Sequence, residues 1–184
     1  MKDINIFFKK KPLRMIFFGF SSGLPILLVF STLSVWLVKA GINRSTVTLF
    51  SWAGFAYAFK YLWSPLVDNY RLPIFKKLGH RRSWLFLSQI LIISALILTA
   101  FTDPQNNLFF TALFITLLAF FSATQDILID AFRIESAPQS YQGPMSSMYI
   151  SGYRIGMLVA GAGSLWLAAF FGSEIYNQNV WKKV

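Results

Sequence analysis

The chain has 184 residues, 55% of them hydrophobic, 18% aromatic and 13% charged, with a mean hydropathy of +0.54. A soluble domain carries roughly 25% charged residues, so this composition excludes an ordinary water-soluble globule and calls for lipid to cover the excess apolar surface. Seventeen Lys and Arg against seven Asp and Glu leave a net charge of +10, and the absence of Cys excludes disulfides, thiolate metal sites and cysteine nucleophiles.

The basic residues fall between apolar runs, as in cytoplasmic loops, and form no basic helix face or aromatic-basic RNA motif, so no nucleic-acid partner is expected. Residues 1–14 are a basic N-terminal segment with Lys9, Lys10, Lys11 and Arg14. The run 15–38 is then free of charge. A helix needs about 20 apolar residues to cross the hydrocarbon core, so this is the first expected span. It is too long for a signal-peptide core and lacks a small-x-small cleavage site.

The second expected span covers 46–66, interrupted by Lys60, and a basic loop with Arg71, Lys76, Lys77, Arg81 and Arg82 follows it. The third covers 84–101, ending at the turn formers Asp103, Pro104, Gln105, Asn106 and Asn107. The fourth covers 108–131 and carries Asp126 and Asp130. A Pro- and Gly-containing break at 138–144 precedes the fifth, 145–171, which carries Arg154. Residues 172–184 are expected as a periplasmic tail leading toward a sixth span. The fold class is therefore all-α, a polytopic membrane helix bundle of about five transmembrane helices. The Lys and Arg asymmetry puts the N-terminus in the cytoplasm. Trp36, Trp63, Trp84 and Trp166 lie near span ends, where an interfacial aromatic belt is expected.

Ionisable side chains within spans are costly and mark pathways or buried pairs. At about 1.5 Å per residue, Lys60, Asp126 and Arg154 lie about 12, 10 and 13 Å from the cytoplasmic ends of their spans, in one layer. Lys60 could instead snorkel to the interface. A pocket of two cations and one carboxylate suits an anionic substrate, and a change in the solvation of Asp126 would change its hold on a proton. Asp130 and Arg133 have the spacing of a local i,i+3 pair. In the fifth span Gly152, Gly156, Ala160 and Ser164 repeat every four residues as a small-residue packing face, with Arg154 turned to the opposite side.

Ser64-Pro-Leu-Val-Asp-Asn-Tyr-Arg71, followed by Gly79-His-Arg-Arg82, resembles the signature loop of the major facilitator superfamily, with the first Gly replaced and an insertion between Arg71 and Gly79. The resemblance implies that Asp68, Arg71, Gly79, Arg81 and Arg82 form a gating loop. Gly19-Phe-Ser-Ser-Gly-Leu-Pro25, Phe59-Lys-Tyr-Leu-Trp-Ser-Pro-Leu66, Ser122-Ala-Thr-Gln-Asp-Ile127 with Asp130-Ala131, and Gly152-Tyr-Arg-Ile-Gly-Met157 are similar to the AmpG family of muropeptide permeases.

That resemblance implies the N-terminal six-helix half of a major-facilitator permease in the bacterial inner membrane, a symporter that imports anhydromuropeptides for peptidoglycan recycling. No cofactor is implied beyond the proton-motive force. Lys60, Gln125, Asp126, Asp130, Tyr153 and Arg154 fall inside the matching motifs and are the implied substrate-binding or proton-coupling residues. Spans one, two, four and five are implied to line the cavity, with span three facing lipid. Such permeases bind substrate between two halves, so the expected partners are the muropeptide, the bilayer and a separately encoded C-terminal half. Two alternatives are a truncated or split-gene fragment without transport activity by itself and a membrane-embedded enzyme. Against the enzyme, no nucleophile-base-acid set or metal-ligand spacing is present, and His80 is the sole histidine.

Overall fold

The computed structural model describes residues 4–72, 79–172 and 177–184. Lys76 and Lys77 of the basic loop, and part of the expected tail, lie outside them. Among the described residues four helices are long and apolar enough to cross a membrane: Lys10–Lys39 (α1), His80–Phe101 (α3), Leu108–Ser136 (α4) and Gln139–Phe170 (α5). Between α1 and α3 the run 44–69 (α2) is helical only in pieces. Arg44–Leu49, Gly54–Ala58 and Ser64–Asn69 are α-helical, joined through 3-10 turns at Phe50–Ala53 and Lys60–Leu62.

The break in α2 has a local cause. Pro65 has no N–H to give to the carbonyl four residues back, and its ring disfavours the α conformation at the residue before it. The chain around it tightens accordingly, with Phe59 at φ −98°, ψ 11° and Trp63 at φ −106°, ψ −1°. The expected span 46–66 is thus an interrupted run carrying Lys60 at its last 3-10 turn.

The join between α4 and α5 departs from expectation in the other direction. Residues 138–144 contain two prolines and a glycine, yet α5 begins at Gln139 and takes Pro144 inside its early turns. The side-chain amide of Gln142 donates to the carbonyls of Arg133 (3.2 Å), Ile134 (3.2 Å) and Ala137 (3.0 Å). These are among the carbonyls that the end of α4 leaves without helical partners. Gln142 therefore caps α4 from the first turns of α5, and two residues suffice for the turn.

α4 is the central helix. Ser122, Ala123, Thr124, Gln125 and Asp126 are consecutive buried residues, so this stretch is enclosed on all sides. Toward the far end, Leu33 and Leu37 of α1, Ala53 of α2, Ile92 and Ala95 of α3, and Ile115 and Leu118 of α4 form the main apolar cluster. α3 presents Phe86, Ile90, Ile93 and Ile97 outward as an exposed apolar stripe at helical spacing. Trp36 and Trp63 turn inward rather than joining an interfacial belt. Trp36 is buried, 6.4 Å from the ring of Trp181, and Trp63 packs 4.6 Å from the ring of Phe120 while donating to Thr124 Oγ1 at 3.1 Å. Trp166 is exposed.

α1 and α5 cross in backbone contact. An added Cβ at Gly152 would stand 2.0 Å from the Ile16 carbonyl oxygen, and one at Gly156 2.5 Å from that of Phe20. Gly19 and Gly23 supply the matching gaps on α1, 2.0 Å from the Tyr149 oxygen and 2.2 Å from the Tyr153 oxygen. Further along, π turns at Leu28–Thr32 and Val159–Gly163 face each other. There Thr32 donates to the Ala160 carbonyl at 2.9 Å and shares a hydrogen bond with Ser164 at 2.8 Å. Ala160 and Ser164 are buried in this contact.

Candidate functional site

Asp126 is the deepest charged group among the described residues, 8% exposed, with Oδ1 buried and without a hydrogen-bond partner. Leaving a carboxylate oxygen in that state is costly, so the position is informative. Four helices meet around it. α2 brings the half-buried Lys60 and Tyr57 into its electrostatic range, α5 brings Tyr149 and Tyr153, and α1 brings Ser22. The hydroxyls of Tyr57 and Ser122 are likewise buried and lie within reach of each other. An ammonium group, one carboxylate and a set of hydroxyls can bind a polyhydroxylated, amide-bearing or anionic ligand and can hold a proton.

The other expected site residues are distributed differently. Tyr153 lies within range of both Asp126 and Arg154, and Arg154 itself is exposed at the surface of α5. Lys60 makes no ion pair within contact distance of Asp126. Gln125 is fully buried and faces the other way, accepting a hydrogen bond from Gln89 of α3 and donating to Ser21 at 3.2 Å and Ser22 at 3.5 Å. Gln89 also donates to Ser21 at 2.6 Å. Gln125 thus ties α1, α3 and α4 together behind the site. Asp130 pairs with Arg133 at 3.3 Å, and Arg133 donates to Ser146 of α5 at 2.8 Å.

Sequence reasoning missed Ser22, Tyr57, Ser122 and Tyr149. Helical spacing could have found three of them. Tyr57 lies three residues before Lys60, Ser122 four before Asp126 and Tyr149 four before Tyr153, each one turn away on the same face.

At the cytoplasmic ends expected for α2, α3 and α4, Arg81 donates to Asp68 and grips both oxygens of Glu135, at 2.8 and 3.3 Å. Gly79, at φ 82°, ψ 162°, turns the chain into α3 through a conformation that a side chain would strain. Its carbonyl accepts the Ser83 hydroxyl at 2.7 Å. Arg71 and Arg82 are exposed and have no carboxylate partner among the described residues. Glu135 was not foreseen, because it comes from a helix 54 residues further along the chain. A double-mutant cycle of Arg81→Gln and Glu135→Gln, read by thermal unfolding in detergent, should give a coupling of about 1 kcal/mol that shrinks with added salt, the size of a half-exposed bidentate pair.

A family model described as "Acetyl-coenzyme A transporter 1" matches residues 13–112, more than half of the chain. The AmpG 4 protein of Rickettsia conorii is 40% identical over 174 residues, which cover 95% of this chain and 42% of that protein. The anhydromuropeptide permease of Escherichia coli K12 is 40% identical over 165 residues, 90% of this chain and 33% of the permease. AmpG 3 of Rickettsia prowazekii is 40% identical over 156 residues, 84% of this chain and 37% of its own length. The chain spans less than half the length of these relatives. With four apolar helices long enough to span a bilayer, it is a multi-pass membrane protein that belongs to the transporter family this model describes and, among its relatives, to the AmpG family.

Proposed function

We propose that the chain forms the N-terminal part of a proton-coupled permease that imports anhydromuropeptides across the bacterial inner membrane, with its N-terminus in the cytoplasm. The observation that carries this reading is the convergence of α1, α2, α4 and α5 on Asp126, a buried carboxylate with one unclaimed oxygen, in range of Lys60 and surrounded by hydroxyls. The name of the Escherichia coli relative supplies the substrate class. In this reading α2 crosses the membrane as a broken helix, acceptable where irregular backbone lines a polar cavity instead of facing lipid.

Asp126 is the proton carrier, Lys60 and Arg154 attract carboxylates of the substrate, and Tyr153 bridges them. Asp130 pairs with Arg133 below the site, and Gln125 holds the scaffold behind it. Asp68, Arg81 and Glu135 form a latch that favours one arrangement of the helix ends. The opposite wall of the cavity comes from a C-terminal half, since alternating access needs two units that rock around a shared site.

The test is uptake of labelled anhydromuropeptide by cells lacking their own permease. The chain expressed together with the remaining spans of an AmpG relative should restore accumulation, and the chain alone should not. Failure of the pair to transport, with both parts present in the membrane, would overturn the reading.

A further inference from the structure

The basic end of the bundle holds a cavity of about 460 Å³ whose lining includes Arg81 and Glu135 of the latch but not Asp126. It opens between the start of α1, the start of α3 and the end of α4. Lys11 and Arg14 line it from one face of α1, and His80, Arg81 and Arg82 line it from α3. One carboxylate, Glu135, faces these cations, and both of its oxygens are held by Arg81. Among the described residues Arg14 and Arg82 have no acidic partner, and Lys11 spends one of its three donors on the Ser136 carbonyl at 2.9 Å.

Like charges spaced three residues apart on one helix face repel, and a second cluster across the cavity adds to the repulsion. An anion would relieve it. Two further observations point the same way. Among the described residues neither buried ring nitrogen of His80 has a hydrogen-bond partner, although one of them carries a donor in either tautomer. Among the described residues the first turn of α3 has no side-chain cap and no acidic residue, so the positive dipole end of α3 lies at the cavity beside Gly79.

Apart from Gly79 and Ser136, the remainder of the lining is apolar. Met15, Phe132 and Met145 complete the cavity, and both methionines are almost wholly buried. Cations at a mouth and a greasy wall behind them suit a molecule with a phosphate and a hydrocarbon part. The volume lies within the usual range of small-ligand sites, about 300 to 1,000 Å³.

We propose that this cavity binds the phosphate headgroup of an anionic membrane phospholipid, with the oxyanion held by Arg14, Arg82 and His80, Lys11 close by, and the first part of the acyl region against Met15 and Phe132. The site sits beside the Asp68–Arg81–Glu135 latch, so an occupying anion shares the electrostatics of that latch. The binding claim does not depend on what the protein transports.

The test uses the purified chain in a neutral detergent, titrated with phosphatidylglycerol, with zwitterionic phosphatidylcholine and with inorganic phosphate, and read by native mass spectrometry and thermal unfolding. Phosphatidylglycerol should be retained and raise the Tm, and phosphatidylcholine should do neither. Each of Arg14→Gln and Arg82→Gln should weaken retention about tenfold, the size of one lost charge-assisted hydrogen bond. Arg44→Gln, an exposed cation beyond the far end of α1, should change nothing. Both tested arginines are exposed, so single substitutions should leave helix content intact, and Arg14→Lys with Arg82→Lys should recover most of the binding that a folding defect would not. Equal retention by the Gln variants, or no preference over phosphatidylcholine, overturns the site. A full shift with inorganic phosphate alone overturns the lipid as the source of the oxyanion.

Discussion

Gly152→Ala should unfold at a markedly lower denaturant concentration than the parent chain, with α1 and α5 the elements that separate. The new methyl carbon would sit 2.0 Å from the Ile16 carbonyl oxygen, a backbone atom that no rotamer change can move. Overpacking against flexible side chains costs about 1 to 3 kcal/mol, and a backbone neighbour should bring the cost to about 3 kcal/mol or more. Gly19, Gly23 and Gly156 make the same close approach, so the helices cannot relax by sliding one residue without meeting another glycine contact. Gly143→Ala on the same helix is the control. Nothing lies within 4 Å of its added methyl, and replacing an exposed helical glycine should stabilise by up to about 1 kcal/mol. Detergent unfolding followed by tryptophan fluorescence separates the two. Equal midpoints for Gly152→Ala and the parent would mean that the helices do not touch there.

One side of that crossing was readable from the sequence and the other was not. The four-residue repeat Gly152, Gly156, Ala160, Ser164 announces a close-packing face because small residues at that spacing line up on a helix. It does not say which helix approaches. Gly19 and Gly23 carry the same spacing on α1, but they lie in a run with Ser21, Ser22 and Pro25, where glycine also has local uses. The long apolar runs of α1, α3, α4 and α5 were legible from hydropathy alone, since lipid imposes one periodicity and one minimum length.

The broken α2 was harder to read, because an apolar run of sufficient length reads as a helix whether or not its ladder is intact. Pro65 was the local clue. The start of α5 misled for a related reason. Pro138, Gly143 and Pro144 signal a break, while the interaction that overrides them is the reach of Gln142 to the carbonyls of Arg133, Ile134 and Ala137. Counting residues assigns Asp126, Lys60 and Arg154 to one layer, but it cannot tell that Asp126 is buried while Arg154 is exposed.

Asp126→Asn, in the chain expressed with the remaining spans of a relative, should abolish concentrative uptake while leaving substrate exchange intact. Asn has the shape of Asp and keeps hydrogen-bonding capacity, so Ser22, Tyr149 and the surrounding packing need not move. It cannot release or take up a proton. Each net positive charge carried inward with the substrate gains about 2.3 kcal/mol from about 100 mV, enough for roughly fiftyfold accumulation. Without the carboxylate the inside-to-outside ratio should fall to about one, and labelled substrate should still equilibrate with unlabelled substrate across the membrane. Lys60→Met should behave differently. Lys60 is the cation that approaches Asp126 from the interrupted part of α2, and its removal leaves a buried carboxylate without a counter-charge. That change should weaken substrate affinity and exchange together, because a cation for the substrate is lost along with the partner of Asp126. Undiminished accumulation in Asp126→Asn would move the proton to another group. The hydroxyls of Tyr57 and Ser122 are poor replacements, since neither ionises readily near neutral pH, and Asp126 is the single buried carboxylate among the described residues.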